Sequence, residues 1–249
     1  MTVRHRDLTV EWLGYAGLRL ESPGDTVVYI DPGRYGTLTG EYRPESAQKP
    51  HPDPRDYRPE DGDLVLVTHD HHYDSDAIER VADADATVVA YEAVYPPKID
   101  RDVVDLDDLP YETLRVDEET DRLFGDAIVR TVPAYNEPDG PRTDASGDPY
   151  HPEGFGAGFL VTLADATVFF PGDTDPLDGH AELDVSLFCP PIGGSLTMDR
   201  REAAELAAAL DPDLVVPVHY NTFESIETDS GAFAADVASR GVPVVLDEA

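Results

Sequence analysis

Ten short apolar runs, each cut off by Asp, Gly or Pro, constrain the fold of this chain more than any other feature. They are LTVEWL (8–13), TVVYI (26–30), LVLVT (64–68), ATVVA (86–90), AIVRTV (127–132), GFLVTL (158–163), TVFF (167–170), VSLFC (185–189), LVVPV (214–218) and VPVVL (242–246). Runs of this length, rich in Val, Ile, Leu and Phe and bounded by turn residues, read as β-strands. Helical patterns are fewer, at 76–81, 199–210 and 231–240. In the second, Asp199 stands at the N-cap and Glu202 follows three residues on, which is the spacing of a capping box. The first half is strand-heavy and the last third alternates strand and helix, an α/β pattern. No composition shift marks a boundary, so the 249 residues are expected to form one domain, 1–249. Two aperiodic stretches, 34–61 and 136–156, are rich in Pro and charged residues, with Gly prominent in the second. Loops of that length in a compact domain are usually functional or disordered.

Charge narrows the function. Asp and Glu number 52 against 18 Lys and Arg, a formal net charge of -34. Such a surface repels polyanions and anionic membranes, so neither nucleic acid nor a membrane is an expected partner. Asp outnumbers Glu 34 to 18, and Lys49 and Lys98 are the only lysines. Self-repulsion of this size weakens a compact fold in dilute buffer and is screened by salt, which points to a halophilic cytoplasm. No stretch approaches the roughly 20 apolar residues of a spanning helix. The opening residues MTVRHRDLTVEWL lack the apolar core of a signal peptide, and Cys189 is the one cysteine. Both fit a cytoplasmic protein.

The chemistry concentrates in LVLVTHDHHYDSDAIERV, residues 64–81, where an apolar strand runs into three His and three Asp before a helix opens. In an extended segment His69 and His71 point the same way and can face one ion. Asp74 follows on the turn. Imidazole and carboxylate together suit Zn, Mn or Fe. Two other strands end alike: TVFFPGDTD delivers Asp173, and LVVPVHYNT delivers His219. Strand ends that converge on ligand-type residues are how α/β sites are built.

In this order the motifs resemble the metallo-β-lactamase-fold hydrolases, especially the small cytosolic, archaeal-type branch related to ascorbate-6-phosphate lactonases. WLGYAG (12–17) is similar to the family's opening strand, YIDPG (29–33) to its early Asp-Pro turn, and PIGGSLTMDRREAAEL (191–206) to the segment before its last ligand strand. The resemblance covers nearly the whole chain. It implies a four-layer αββα sandwich with a metal site at one edge between the sheets. It also implies one or two divalent ions, Zn first and Mn or Fe otherwise, with Asp173 as the shared ligand. His69, His71 and Asp173 would hold one ion; Asp74, Asp173 and His219 would hold the second. The chain departs from the family's His-x-His-x-Asp-His motif. His72 is an alternative second ligand, and Ser75 stands where the family has its last His. Asn136, in TVPAYN, replaces the family's middle His, and His151 is the nearest His that can substitute.

The implied activity is hydrolysis by a metal-activated water of a small-molecule ester, lactone or phosphodiester. Asp74 is the expected water-orienting base. His151 or Tyr135 is the expected donor to developing negative charge, and Tyr220 is a core or supporting residue. Two rival readings are a binding protein of the same fold that has lost catalysis, suggested by the missing His at 75 and 136, and a nuclease, disfavoured by the acidic surface. There is no Gly-x-Ser-x-Gly elbow and no phosphate-binding Gly loop.

Overall fold

A computed structural model describes residues 2–33, 36–41 and 56–248. Most of the loop expected at 34–61 lies outside them. Among the described residues the chain forms thirteen strands and three α-helices. In chain order these are β1 (Val3–His5), β2 (Leu8–Gly14), β3 (Gly17–Glu21), β4 (Val27–Ile30), β5 (Gly62–Val67), α1 (Ser75–Val81), β6 (Ala82–Tyr91), β7 (Glu112–Val116), β8 (Asp121–Phe124), β9 (Ala127–Ala134), β10 (Gly156–Leu163), β11 (Ala166–Phe170), β12 (Leu187–Phe188), α2 (Arg200–Leu210), β13 (Leu214–Val215) and α3 (Ser230–Ser239).

The strands make two sheets. The first runs β1-β2-β3-β4-β5-β6-β7 and the second β13-β12-β11-β10-β9-β8. β1 to β4 pair antiparallel, and β4 to β7 are parallel. The side-chain period of two sorts the apolar runs between two cores. Val28, Ile30, Leu64, Leu66 and Val89 face the other sheet, where they meet Phe159, Val161 and Val168. Their neighbours Tyr29, Val65, Val67, Val88 and Ala90 face the opposite way, against Ala77, Ile78 and Val81 of α1. β4, β5 and β6 are thus covered on both faces, which explains why their sequences are continuously apolar rather than alternating. On the second sheet α2 and α3 add Ala203, Leu206, Phe233 and Val237. The result is the expected αββα sandwich, with thin helical layers.

α2 has the predicted capping box: the Asp199 side chain accepts from Arg201 N and Glu202 N, and Glu202 reaches back to the Asp199 N–H. Four strands lacked a clear sequence signal. β7 and β8 carry charged residues on exposed positions and β3 on half-buried ones, and β1 has three residues. Two predicted strands shrink to two residues, β12 and β13, because Pro190, Pro191 and Pro217 supply no N–H for a ladder. The run 242–246 contributes a single parallel bridge, Val215 to Val244. Among the described residues no helix is long and apolar enough to cross a membrane.

The sheets' strand ends define the site. The parallel strands β4 and β5 finish side by side, placing Asp31 next to the turn 68–74. β9 and β10 form a hairpin whose long loop, 135–155, rejoins the sheet at Gly156. A Cβ on Gly156 would stand 2.8 Å from His69 Cβ, so only glycine lets β10 pass the turn so closely.

Candidate metal centre

Residues 69–73 form a turn, not the extended segment that the His-x-His spacing suggested. His72 N donates to His69 O at 3.2 Å and Tyr73 N to Asp70 O at 3.3 Å. The turn brings both His71 and His72 beside His69, with ring centroids 5.1 and 4.3 Å away, so the choice between them does not arise. Tyr73 instead points into the outer core and donates to Val104 O.

Asp173 sits at the centre. Gly172, at φ 70°, turns the chain after β11 and aims the Asp173 side chain at the histidines. Its two oxygens face different partners. Oδ2 lies 3.7 Å from His69 Nε2 and 3.6 Å from His151 Nε2. Oδ1 lies 3.7 Å from His72 Nε2 and 3.4 Å from His219 Nε2. His71 Nδ1 closes the first side, 3.1 Å from His151 Nε2. Two groups have ligand atoms near enough to share an ion: His69, His71 and His151, and His69, His72 and Asp173.

All of these residues except His71 are buried. Among the described residues, His69 Nε2 and both ring nitrogens of His219 are buried without a hydrogen bond. An unsatisfied buried polar atom is costly, so a cluster of them in one spot needs a reason. A metal supplies one. Tetrahedral ligands at about 2.0–2.2 Å from Zn stand about 3.3–3.6 Å from one another, close to the spacings around Asp173. The protonation states also suit a metal. Burial and the neighbouring imidazoles hold His69 well below the usual histidine range. Burial likewise lowers His151 and His219, against the opposing pull of Asp173. Burial pushes the Asp173 carboxyl up, but the positive charge that His219, His72, His151 and His71 carry when protonated in acid outweighs it and brings it down to about 2. Neutral imidazoles around an ionised carboxylate are the ligand forms of these side chains.

Supporting contacts fix the cluster. Asp31 Oδ2 accepts from His72 Nδ1 and from Thr68 Oγ1, both at 2.7 Å, and Oδ1 accepts from Thr68 N at 2.9 Å. His72 Nε2 is thereby left facing Asp173, the carboxylate–histidine arrangement common at metal sites. Tyr15, Asp31 and His219 all adopt positive φ, 51°, 44° and 55°, uncommon for residues other than glycine and concentrated here around His72. His219 N donates to Tyr15 O at 2.7 Å, and the Tyr15 ring packs on His72 and His219. Phe155 packs against His69, His71 and His151. Beside it a cleft of about 290 Å³ opens, lined by His71, Phe155, Asp70, Lys98 and Arg101 among others.

Of the residues singled out in the sequence, the structure gathers His69, His71, Asp173, His219 and His151. Asp74 is not among the residues brought together. Its Oδ1 accepts from Asp76 N and Ala77 N as the N-cap of α1, and it lines a different cleft with Glu41, Asp76 and Arg101. The turn carries Asp74 past the cluster and His72 into it. His151 is also not placed as an acid. Its Nε2 faces Asp173, and its Nδ1 is taken up by Asn136 Oδ1 and Leu196 O. Tyr135 lines a cavity with Leu177 and His180, and Tyr220 stacks on Trp12 in the core. Asp31 had no assigned role, although the Asp-Pro turn was its signal.

Residues 9–219 match the family model of the β-lactamase superfamily domain. The chain belongs to the metallo-β-lactamase superfamily. It is 34% identical over 247 residues to a UPF0173 metal-dependent hydrolase of Pyrococcus horikoshii, covering 95% of both chains. It is 30% identical to one of Archaeoglobus fulgidus, covering 95% of this chain and 94% of that protein. Among solved structures it resembles Igni18, a metallo hydrolase of Ignicoccus hospitalis, with a TM-score of 0.66 at 21% identity over 96% of this chain and 94% of that one. It also resembles an isothiocyanate hydrolase from Delia radicum gut bacteria, with a TM-score of 0.67 at 15% identity over 96% and 97%. At these identities the two structures speak for the shared fold.

Proposed function

We propose that this superfamily member is a hydrolase of small-molecule esters, lactones or phosphodiesters, working in a salt-rich cytoplasm with one or two divalent ions. The observation that carries the reading is Asp173 held between two sets of imidazoles, all of them buried except that of His71. His69, His71, His151 and Asp173 Oδ2 would hold one ion; His72, His219 and Asp173 Oδ1 would hold the other. A bound divalent ion lowers the pKa of a coordinated water from 15.7 toward about 7 and polarises a carbonyl or phosphoryl oxygen. Five imidazoles and one carboxylate suit Zn or Fe better than an oxygen-rich set would, so Zn remains the first expectation.

The chain's own residues do the rest. Asp173 stays ionised and keeps both sets of ligands in register. Asp31 orients His72, and Tyr15 and Phe155 shield the cluster from bulk water. The cleft beside His71 offers the approach for substrate, where Lys98 and Arg101 stand among Asp70 and Asp100. The binding-protein alternative drew its support from the missing histidines at 75 and 136, and His72 and His151 supply imidazoles from other positions.

The test is metal analysis after purification in molar KCl, followed by assays on a nitrophenyl ester, a lactone and a bis-nitrophenyl phosphate with and without chelator. Hydrolysis of at least one, lost with chelator and regained with Zn, Mn or Fe, is expected. A chain that carries no metal and hydrolyses nothing after reloading overturns the reading.

A further inference from the structure

The loop 135–155 is closed at its neck by one pair of residues. Asn136 N donates to His151 O at 2.7 Å, and His151 N donates back to the Asn136 side-chain Oδ1 at 3.0 Å. Asn136 is fully buried. Backbone groups fix the orientation of its amide. Oδ1 faces the His151 N–H, which can only donate, and Nδ2 faces Leu196 O at 3.1 Å, which can only accept. Nδ2 also donates to Asp175 Oδ1 at 3.2 Å.

The orientation of this amide decides the state of the His151 ring. His151 Nδ1 lies 3.1 Å from Asn136 Oδ1 and 3.3 Å from Leu196 O, two acceptors and no donor. The proton therefore sits on Nδ1, and Nε2 offers its lone pair to the space shared with His71 and Asp173. The far side of the amide is equally well held. Asp175 accepts from Arg142 Nη1 at 2.7 Å and from Glu137 N at 2.9 Å. Arg142 is also paired with Glu202, the capping residue of α2.

We propose that Asn136 is a positioning residue for the metal centre: its amide, anchored by Asp175 and the Leu196 carbonyl, holds the His151 ring with Nδ1–H turned away and Nε2 presented to the ion. The assignment rests on the metal centre proposed above. It gives Asn136 an indirect role. Its oxygen orients a ligand, and its nitrogen ties that ligand to the start of α2 through Asp175, Arg142 and Glu202.

The amide's two ends can be tested separately. Asn136→Asp keeps the acceptor for His151 but sets a second carboxylate against Asp175. Asn136→Asp with Asp175→Asn exchanges the two groups and restores an acceptor facing a donor, at nearly constant volume. Two measurements read the result: the ring 15N shifts of His151 in the metal-free chain, and Zn affinity by chelator competition in molar KCl. The wild-type ring is expected as the Nδ1–H tautomer. Asn136→Ala and Asn136→Asp should each weaken Zn by about 10- to 100-fold, and the double variant should recover part of that loss, because the Leu196 carbonyl still faces a carboxylate oxygen; a merely loop-closing role would leave the His151 tautomer unset. An Nε2–H ring in the wild type, unchanged Zn affinity in Asn136→Ala, or a double variant no better than Asn136→Asp overturns the assignment. Thermal melts show whether each variant is folded, and the wild-type tautomer needs no variant. A wild-type chain that binds no Zn defeats the metal centre, while its His151 tautomer still decides how Asn136 holds the ring.

Discussion

Asp31 and His72 lie 41 residues apart in the chain, yet Asp31 Oδ2 meets His72 Nδ1 at 2.7 Å. The same carboxylate also accepts from Thr68 N and Oγ1. One side chain at the end of β4 therefore ties down the turn after β5 and orients an imidazole toward Asp173. Asp31→Ala should cost metal affinity about 10- to 100-fold. It should also lower stability by about 1–3 kcal/mol, because the buried Thr68 N–H loses its acceptor. Metal titration and urea unfolding of the metal-free chain measure the two effects separately, and an unchanged metal affinity would show that the contact only braces the fold.

Asp173 and Asp74 should behave oppositely. Asp173→Ala removes the one group that faces both sets of histidines and should deplete all bound metal along with activity. Asp74→Asn keeps an N-cap acceptor and should leave metal content and hydrolysis near the wild-type level. Asp74→Ala should cost about 1 kcal/mol through the lost cap. Metal analysis of the three variants decides, and metal loss in Asp74→Asn would return Asp74 to the ligand set.

Removing the metal should lower the thermal midpoint. Ligands drawn from four separate segments of a folded chain bind only its native state, and a ligand at about 100 times its Kd adds about 2.7 kcal/mol. For a domain of this size that corresponds to roughly 5–10 °C. Scans with and without chelator in high salt measure the shift. No shift in a preparation shown to carry metal would contradict the site.

Salt should stabilise the fold. The net charge is -34, and lowering salt from 1 M to about 0.1 M lengthens the Debye length from about 3 to about 10 Å. Repulsion among the surface carboxylates then reaches farther, and the urea midpoint should fall. Equal midpoints at both salts would remove the basis for a halophilic origin of the acidity.

Acid should weaken the metal-free chain partly through His180. This residue is buried against Phe169, its Nε2 donates to Pro133 O at 2.8 Å, and its Nδ1 accepts from Leu177 N at 3.4 Å. Burial lowers its pKa below 6.5, against the smaller opposing effect of the Pro133 bond. The unfolded chain therefore binds a proton first as pH falls through about 6.5, and stability is lost below that point. His180→Gln should make the decline of the urea midpoint with falling pH shallower. An identical slope would mean that His180 does not contribute.

The sequence by itself determined what depends on neighbours a few residues apart. Short apolar runs bounded by Asp, Gly and Pro set most strands, Asp199 and Glu202 set the start of α2, and the residue types at the ends of β5 and β11 announced a metal-binding site. Motif order carried the fold class. Strands with mixed faces such as β3, β7 and β8 were missed because a half-exposed strand is selected by its sheet neighbours rather than by its own hydrophobicity.

Only the tertiary structure decided which imidazoles converge. The 69–73 turn brings in His72 as well as His71 and assigns Asp74 to capping α1. Loop 135–155 folds back to deliver His151 while Asn136 becomes its support. Positive φ at Tyr15, Asp31 and His219 sets the directions of the strand ends, and no residue type signals it. These outcomes depend on contacts tens of residues apart, where the energy of closing the site, rather than the preference of any local segment, selects the backbone and the rotamer.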